Sequence, residues 1–65
     1  MLVSMSLRAA RINANLKQSD MAVALNVSRK TISAWESGKS MPTADRIDDI
    51  CAVLGVSYND IRWKG

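Results

Sequence analysis

The sequence predicts an all-helical protein, a compact bundle of five short helices that forms one domain over residues 1–65. Three observations support this prediction. Apolar residues recur at spacings of three and four, which is the periodicity of amphipathic helices, and no strand-like alternation continues for more than a few residues. Glycine and proline, which interrupt helices, occupy only four positions: Gly38, Pro42, Gly55 and Gly65. A chain of 65 residues also has room for only one small hydrophobic core.

The first two helices are predicted in the first 25 residues. Helix one begins with Ser4 or Ser6 as its N-cap and continues to about Asn13, with three apolar residues facing inward: Leu7, Ala10 and Ile12. Helix two covers about residues 18–25 and buries Met21, Ala22 and Leu25.

The remaining helices have clear start and stop signals. Ser28 caps helix three, which continues to Glu36 with Ile32 and Trp35 inside, and Ser37-Gly38 ends it. Thr43 precedes helix four, which ends at Gly55 and has an inward stripe at helical spacing: Ile47, Ile50, Cys51 and Leu54. The fifth helix is a short turn around Ile61, opened by a capping-box pattern over residues 57–60.

The most informative segment is residues 18–35. With Gln18 counted as the first position, apolar residues occupy the fourth, eighth, tenth, fifteenth and eighteenth positions: Met21, Leu25, Val27, Ile32 and Trp35. Ala22 provides a small side chain where two helices cross, and Asn26 tolerates the positive φ that a tight turn requires. This spacing predicts a helix-turn-helix, in which the outer face of the second helix stays free.

The free face of helix three carries side chains of the kind that contact DNA. Its exposed residues are predicted to be Ser28, Arg29, Lys30, Ser33 and Ala34. A helix N-terminus attracts phosphate, and its first residues reach base edges in the major groove. Arg29 and Lys30 can donate to guanine O6 and N7, and Ala34 can contact a thymine methyl group. The alternative is that Arg29 and Lys30 are ordinary solvated charges, but their place on this helix favours DNA contact.

Charge and cysteine content narrow the function classes. The formal net charge is +3, and the first 42 residues carry +4 while the remainder carries −1, which suggests one face directed at a polyanion. One cysteine and no histidine exclude an intramolecular disulfide and the usual structural zinc sites. No metal, cofactor or small-molecule substrate is expected, and nothing supports an enzyme. No apolar stretch approaches the roughly 20 residues of a membrane span, so a cytoplasmic protein is expected.

Several runs of the sequence resemble the Cro/repressor (xenobiotic-response-element type) helix-turn-helix family. They are LKQSDMA at 16–22, LNVSRKTIS at 25–33 and WESGK at 35–39, followed by Pro42, LGVS at 54–57 and Asp60-Ile61. The resemblance covers roughly residues 7–62 and is strongest to short phage repressors or Cro-like regulators. It implies a lambda-repressor-like fold with the helix-turn-helix at helices two and three.

The resemblance also implies roles for individual residues. Those expected to contact DNA are Lys17, Gln18, Ser28, Arg29, Lys30, Ser33, Ala34, Lys39 and Ser40, of which Gln18, Lys39 and Ser40 would bind phosphate. Arg11 and Glu36 match a pair that forms an internal salt bridge. Lys17 stands where the family usually has a Ser or Thr N-cap, so helix two lacks a cap worth about 1 kcal/mol. The implied function is a transcriptional regulator that binds double-stranded DNA at a near-palindromic operator as a homodimer.

Two alternatives remain open at this stage. Tyr58, Ile61 and Trp63 form either a self-association surface or a cap on the monomer's own core. The same fold could also serve as a protein-interaction module, such as an antitoxin or adaptor. Trp35 is expected in the core rather than as a stacking platform for a base, and Cys51 is expected to be a small core residue rather than a nucleophile.

Overall fold

A computed structural model of the chain describes residues 4–63, which form four α-helices and one turn of 3-10 helix. The helices are α1 (Leu7–Asn13), α2 (Gln18–Leu25), α3 (Arg29–Ser37) and α4 (Ala44–Leu54), and the 3-10 turn is Tyr58–Asp60. The all-helical prediction is confirmed, but the number of helices is four and not five. Ile61 adopts an extended conformation, with φ −117° and ψ 139°, so the last segment does not continue as a helix.

Side-chain caps fix the beginnings of α1 and α3. The Ser6 hydroxyl accepts the Ala9 amide at 3.0 Å, and the Ser28 hydroxyl accepts the Thr31 amide at 3.1 Å. At α2, Lys17 offers no acceptor, but the Asp20 carboxylate accepts the backbone N–H of Lys17 at 2.9 Å. This bond is one half of a capping box, so α2 keeps part of the stabilisation that the sequence suggested it had lost.

Residues in the left-handed conformation end three of the helices. Asn26 follows α2 with φ 56°, Gly38 follows α3 with φ 82°, and Gly55 follows α4 with φ 69°. The predicted positive φ of Asn26 is therefore confirmed. Because asparagine is one of the few residues other than glycine that adopt this conformation readily, it supports the tight turn between α2 and α3.

The core brings together all four helices and Ile61. Its buried members are Leu7, Ala10, Met21, Ala22, Leu25, Ile32, Ile50, Leu54 and Ile61. The prediction that Ile12 faces inward is wrong, since Ile12 is 48% exposed. It lies five residues after Leu7, which places it about 140° around α1 from that buried position. Trp35 and Cys51 are half-buried rather than fully enclosed, and Trp35 packs against the edge of the core.

The two ends of the described chain are joined by backbone hydrogen bonds. Met5 and Ile61 form a parallel bridge, in which the Met5 N–H donates to the Asp60 carbonyl at 2.9 Å and the Arg62 N–H donates to the Met5 carbonyl at 2.8 Å. Ile61 is 4% exposed as a result. Among residues 4–63, no helix has both the length and the apolarity needed to cross a membrane.

Arg46 connects α4 to the end of α2. Its Nη1 donates to the Leu25 carbonyl at 2.7 Å, one of the last carbonyls of α2, which have no partner within the helix. We expect Arg46→Met to lower the free energy of unfolding by about 1.5–3 kcal/mol, as for a hydrogen bond to a charged group. Urea unfolding followed by circular dichroism measures this change. Arg8→Met on the exposed side of α1 is the matched control, and an equal loss there would show that the Leu25 contact is not the cause.

Candidate nucleic-acid interface

The two sides of α3 have opposite environments. Ile32 is fully buried and fixes the inner side against the core, while Arg29, Lys30 and Ser33 are exposed on the outer side. Ser28, at the N-cap, is also exposed, and its hydroxyl lies 3.0 Å from that of Thr31. Buried side chains of α2 and α3 belong to the same core, and the outer side of α3 presents two cations near a helix N-terminus.

A shallow groove follows the outer side of α3 to its end. It is lined by Lys30, Ser33, Ala34, Ser37 and Lys39. Gly38 turns the chain back, so that the backbone N–H groups of Lys39 and Ser40 donate to the Ala34 carbonyl at 3.0 and 3.3 Å. The side chains of Lys39 and Ser40 are exposed beside this turn. Four predicted DNA-contacting residues thus line one groove, and Ser40 follows the last of them.

Ser37 is a groove residue that the sequence analysis did not select. Ser37 is exposed, and its hydroxyl donates to the Ala34 carbonyl at 3.2 Å. Ser37 and Ala34 line the groove together with Lys30 and Lys39. The signal was present in the sequence, because Ser37 lies four residues after Ser33 and seven after Lys30, on the same face of a helix.

A buried ion pair lies behind this surface and connects α1 to α3. The Arg11 guanidinium binds the Glu36 carboxylate through both Nε and Nη2, and the side chains are 9% and 5% exposed. The remaining Nη1 of Arg11 donates to the Leu16 carbonyl at 2.8 Å, just before α2. The charge of Arg11 is therefore neutralised inside the domain, and Arg11 is not part of the exposed basic surface.

Gln18 and Lys17 lie at the start of α2. Lys17 is exposed, whereas Gln18 is half-buried. The Gln18 side-chain amide donates from Nε2 to Glu36 Oε1 at 3.1 Å, a contact that no pattern in the sequence predicts. The amide thus lies at the rim of the domain, between the buried ion pair and solvent.

Comparison with known proteins agrees with this geometry. A family model described as "Helix-turn-helix" matches residues 7–61, which is most of the chain. The chain belongs to the Cro/C1-type helix-turn-helix family. The match covers all four helices, including α2 and α3, which the spacing in the sequence predicts as the two helices of the motif.

Two relatives come from a phage and from a bacterium. The domain is 42% identical over 41 residues to the 26 kDa repressor protein of Escherichia phage HK022, an alignment that covers 63% of this chain and 17% of that protein. It is 32% identical over 60 residues to Antitoxin PezA of Streptococcus pneumoniae serotype 4 (strain ATCC BAA-334 / TIGR4), covering 92% of this chain and 38% of that protein. The chain therefore spans less than half of the length of either relative.

The aromatic residues near the C-terminal end of the domain stack on one another. The rings of Tyr58 and Trp63 are 5.9 Å apart with an interplanar angle of 20°, and Trp63 Nε1 donates to the Tyr58 carbonyl at 3.0 Å. Tyr58 is 55% exposed and Trp63 is half-buried. Ile61, in contrast, is buried in the monomer's own core, so of the three residues predicted as a self-association surface, Tyr58 and Trp63 are the accessible ones.

Cys51 has the features of a packing residue. Burial raises the pKa of its thiol, and the negative charges of Asp48 and Asp60 raise it further. The thiol is therefore protonated at neutral pH, and a protonated thiol is a poor nucleophile and a poor metal ligand. Within residues 4–63, no three His, Cys, Asp or Glu side chains lie together as a metal site would require.

Proposed function

We propose that this domain is a sequence-specific transcriptional regulator of the phage repressor or Cro-like type, with α3 as its recognition helix in the major groove. The observation that carries the proposal is the exposed side of α3, where Arg29, Lys30 and Ser33 point away from a core that holds Ile32 rigidly. Arg29 and Lys30 then donate to guanine edges, and Ser28 contacts phosphate or a base edge. Similarity to the HK022 repressor supports the repressor assignment. The proposed role is binding without catalysis, in a bacterial cytoplasm.

Phosphate contacts supply most of the proposed affinity. Lys17 and Gln18 at the start of α2, with Lys39 and Ser40 after α3, flank the recognition helix. Contacts of this kind fix the register of a protein on the duplex, and release of counterions makes them sensitive to salt. Affinity is therefore expected to fall steeply between low and physiological ionic strength.

Two copies of the domain are proposed to bind one operator. A single recognition helix reads only a few base pairs, and two domains related by a two-fold axis place their recognition helices about 34 Å apart in successive major grooves. The operator is then nearly palindromic. The stacked pair of exposed Tyr58 and half-buried Trp63 is the surface proposed for contact between the copies.

Selection from a randomised duplex pool tests the proposal directly. The pure protein is incubated with the pool at two salt concentrations, and bound sequences are read after several rounds. We expect enrichment of a palindrome with half-sites about one helical turn apart. Weak binding without sequence preference, abolished by salt, would instead mean that the basic surface is generic, and that a protein partner should be sought.

Ala34 predicts a thymine at one position of each half-site. The Ala34 methyl group lies in the groove between Lys30 and Lys39, and a thymine offers a methyl group beside the O4 acceptor. Replacing that thymine with deoxyuridine removes only the methyl group and is expected to weaken binding about fourfold, as for one lost methyl contact of about 0.8 kcal/mol. A scan of single deoxyuridine substitutions by fluorescence anisotropy measures this. Ala34→Gly should remove the sensitivity, whereas Ala52→Gly on α4 should keep it.

A protein-interaction role is the second candidate, favoured by the similarity to Antitoxin PezA over 92% of this chain. In that case the exposed Tyr58 and the half-buried Trp63 form the main binding surface. The two candidates respond differently to the same variants. Arg29→Ala with Lys30→Ala removes the DNA binding of the first candidate, whereas it leaves the protein complex of the second candidate intact. Tyr58→Ala removes that protein complex, and under the first candidate it weakens binding to the whole operator while the contacts of α3 with a half-site remain.

A further inference from the structure

The Glu36 carboxylate is shared between a buried arginine and a residue at the edge of the domain. Its Oε2 accepts from Arg11 Nε, and its Oε1 accepts from Arg11 Nη2 at 3.2 Å and from Gln18 Nε2 at 3.1 Å. The Glu36 side chain is 5% exposed, and Gln18 is half-buried. One buried anion thus contacts three donors from two other segments of the chain.

This arrangement fixes which end of the Gln18 amide faces inward. An ionised carboxylate can only accept hydrogen bonds, so the NH2 group of Gln18 and not its carbonyl oxygen must face Glu36. One N–H of that group is used by Glu36, and the second N–H remains to be donated.

Gln18 is the first residue of α2, and the first helix of a helix-turn-helix crosses the DNA backbone. A phosphate at this end of α2 would need a donor and would be repelled by an unpaired carboxylate nearby. The Gln18 amide provides the donor, and Glu36 holds it through a hydrogen bond. Arg11 pairs with Glu36, so the carboxylate near the phosphate is neutralised.

We propose that Glu36 is a positioning residue for DNA binding: held and neutralised by Arg11, it orients Gln18 so that the free N–H of its side-chain amide donates to a backbone phosphate. The proposal rests on the DNA-binding function proposed above. A Gln18 side chain that is already ordered in the free protein loses less rotamer freedom on binding. Ordering one flexible side chain at an interface changes affinity by about twofold to tenfold.

A double-mutant cycle on DNA affinity tests the coupling. Removing Glu36 alone would leave a buried Arg11 charge, so the pair is replaced together by Arg11→Met and Glu36→Leu, an exchange that is often neutral or stabilising. Gln18→Ala is then measured in the native background and in the paired background, by anisotropy with the selected operator. Lys17→Ala is the matched control, because Lys17 is exposed beside Gln18 and forms no hydrogen bond to Glu36.

The expected result is a background-dependent effect of Gln18 alone. Gln18→Ala should weaken binding in the native background by about twofold to tenfold more than in the paired background, while Lys17→Ala has the same effect in both. Equal effects of Gln18→Ala in the two backgrounds would overturn the positioning role and leave the DNA-binding function intact. If the native protein selects no DNA sequence at all, both proposals fail together.

A measurement on the native protein keeps the proposal testable if the paired variant does not fold. In a ¹⁵N-labelled sample, the two protons of the Gln18 side-chain amide give separate NMR signals. Addition of operator duplex should shift the proton that faces away from Glu36, and the other proton should keep its hydrogen-bonded position. Release of the Glu36-bound proton on DNA binding, or no change in either signal, would contradict the proposed geometry.

Discussion

The double substitution Arg29→Ala/Lys30→Ala is expected to weaken operator binding about thirtyfold to twenty-thousandfold and to leave the fold intact. Each side chain, if it donates two hydrogen bonds to a guanine, contributes about 1–3 kcal/mol of discrimination, and every 1.4 kcal/mol is tenfold. Both side chains are exposed at the start of α3, so their removal creates no cavity and leaves no buried group without a partner. Anisotropy titrations with the selected operator and with a scrambled duplex, at two salt concentrations, measure the effect.

A charge-matched variant separates base recognition from general attraction. Arg8→Ala/Arg62→Ala also removes two exposed positive charges, from a chain whose formal net charge is +3. We expect this control to keep the preference for the operator over the scrambled duplex, whereas the α3 variant loses that preference. Equal losses in the two variants would show that the affinity comes from total charge and not from the outer side of α3.

Glu36→Ala is expected to destabilise the domain by about 3–5 kcal/mol, because it leaves the Arg11 guanidinium buried without a counter-ion. The Arg11 side chain is only 9% exposed, and within residues 4–63 its one other hydrogen bond is to the Leu16 carbonyl. In a domain of this size, a loss of 1 kcal/mol lowers the melting temperature by about 4–8 °C, so the expected decrease is about 12–40 °C. Thermal unfolding followed by circular dichroism measures it.

The paired substitution Arg11→Met/Glu36→Leu is the control for this prediction. Replacing both charges with apolar side chains of similar size removes the desolvation cost together with the attraction, so we expect a stability near that of the native domain. If the paired variant were as unstable as Glu36→Ala, the loss would come from altered packing around Glu36 and not from an unpaired charge.

Local sequence signals predicted most of the fold because each depends on a few neighbouring residues. Ser28 needs only the amide three residues ahead to cap α3, and Asn26 and Gly38 need only their own left-handed conformation to end a helix. Ile32 and the other members of the inner stripe follow from helical periodicity. Residues of α3 that do not belong to the inner stripe must lie on its outer side. This reasoning predicts the exposed side of α3 and most of the candidate DNA contacts.

Contacts between distant parts of the chain could not be predicted in the same way. Gln18 and Glu36 are 18 residues apart, and no local pattern indicates that their side chains meet. The fifth helix was wrongly predicted for a related reason, since Ile61 is held in an extended conformation by Met5 at the other end of the chain. Arg46 could be read only as a surface charge until its position beside the Leu25 carbonyl was known.

The bridge between Met5 and Ile61 places the two ends of the described residues side by side. A short linker could join the ends directly, and the chain could then be opened elsewhere, for example between Ser40 and Thr43, with every helix retained. Such a circular permutant keeps the order α2–α3 uninterrupted. The same closeness would allow the whole domain to be inserted into a surface loop of a host protein, as domains with adjacent ends commonly are.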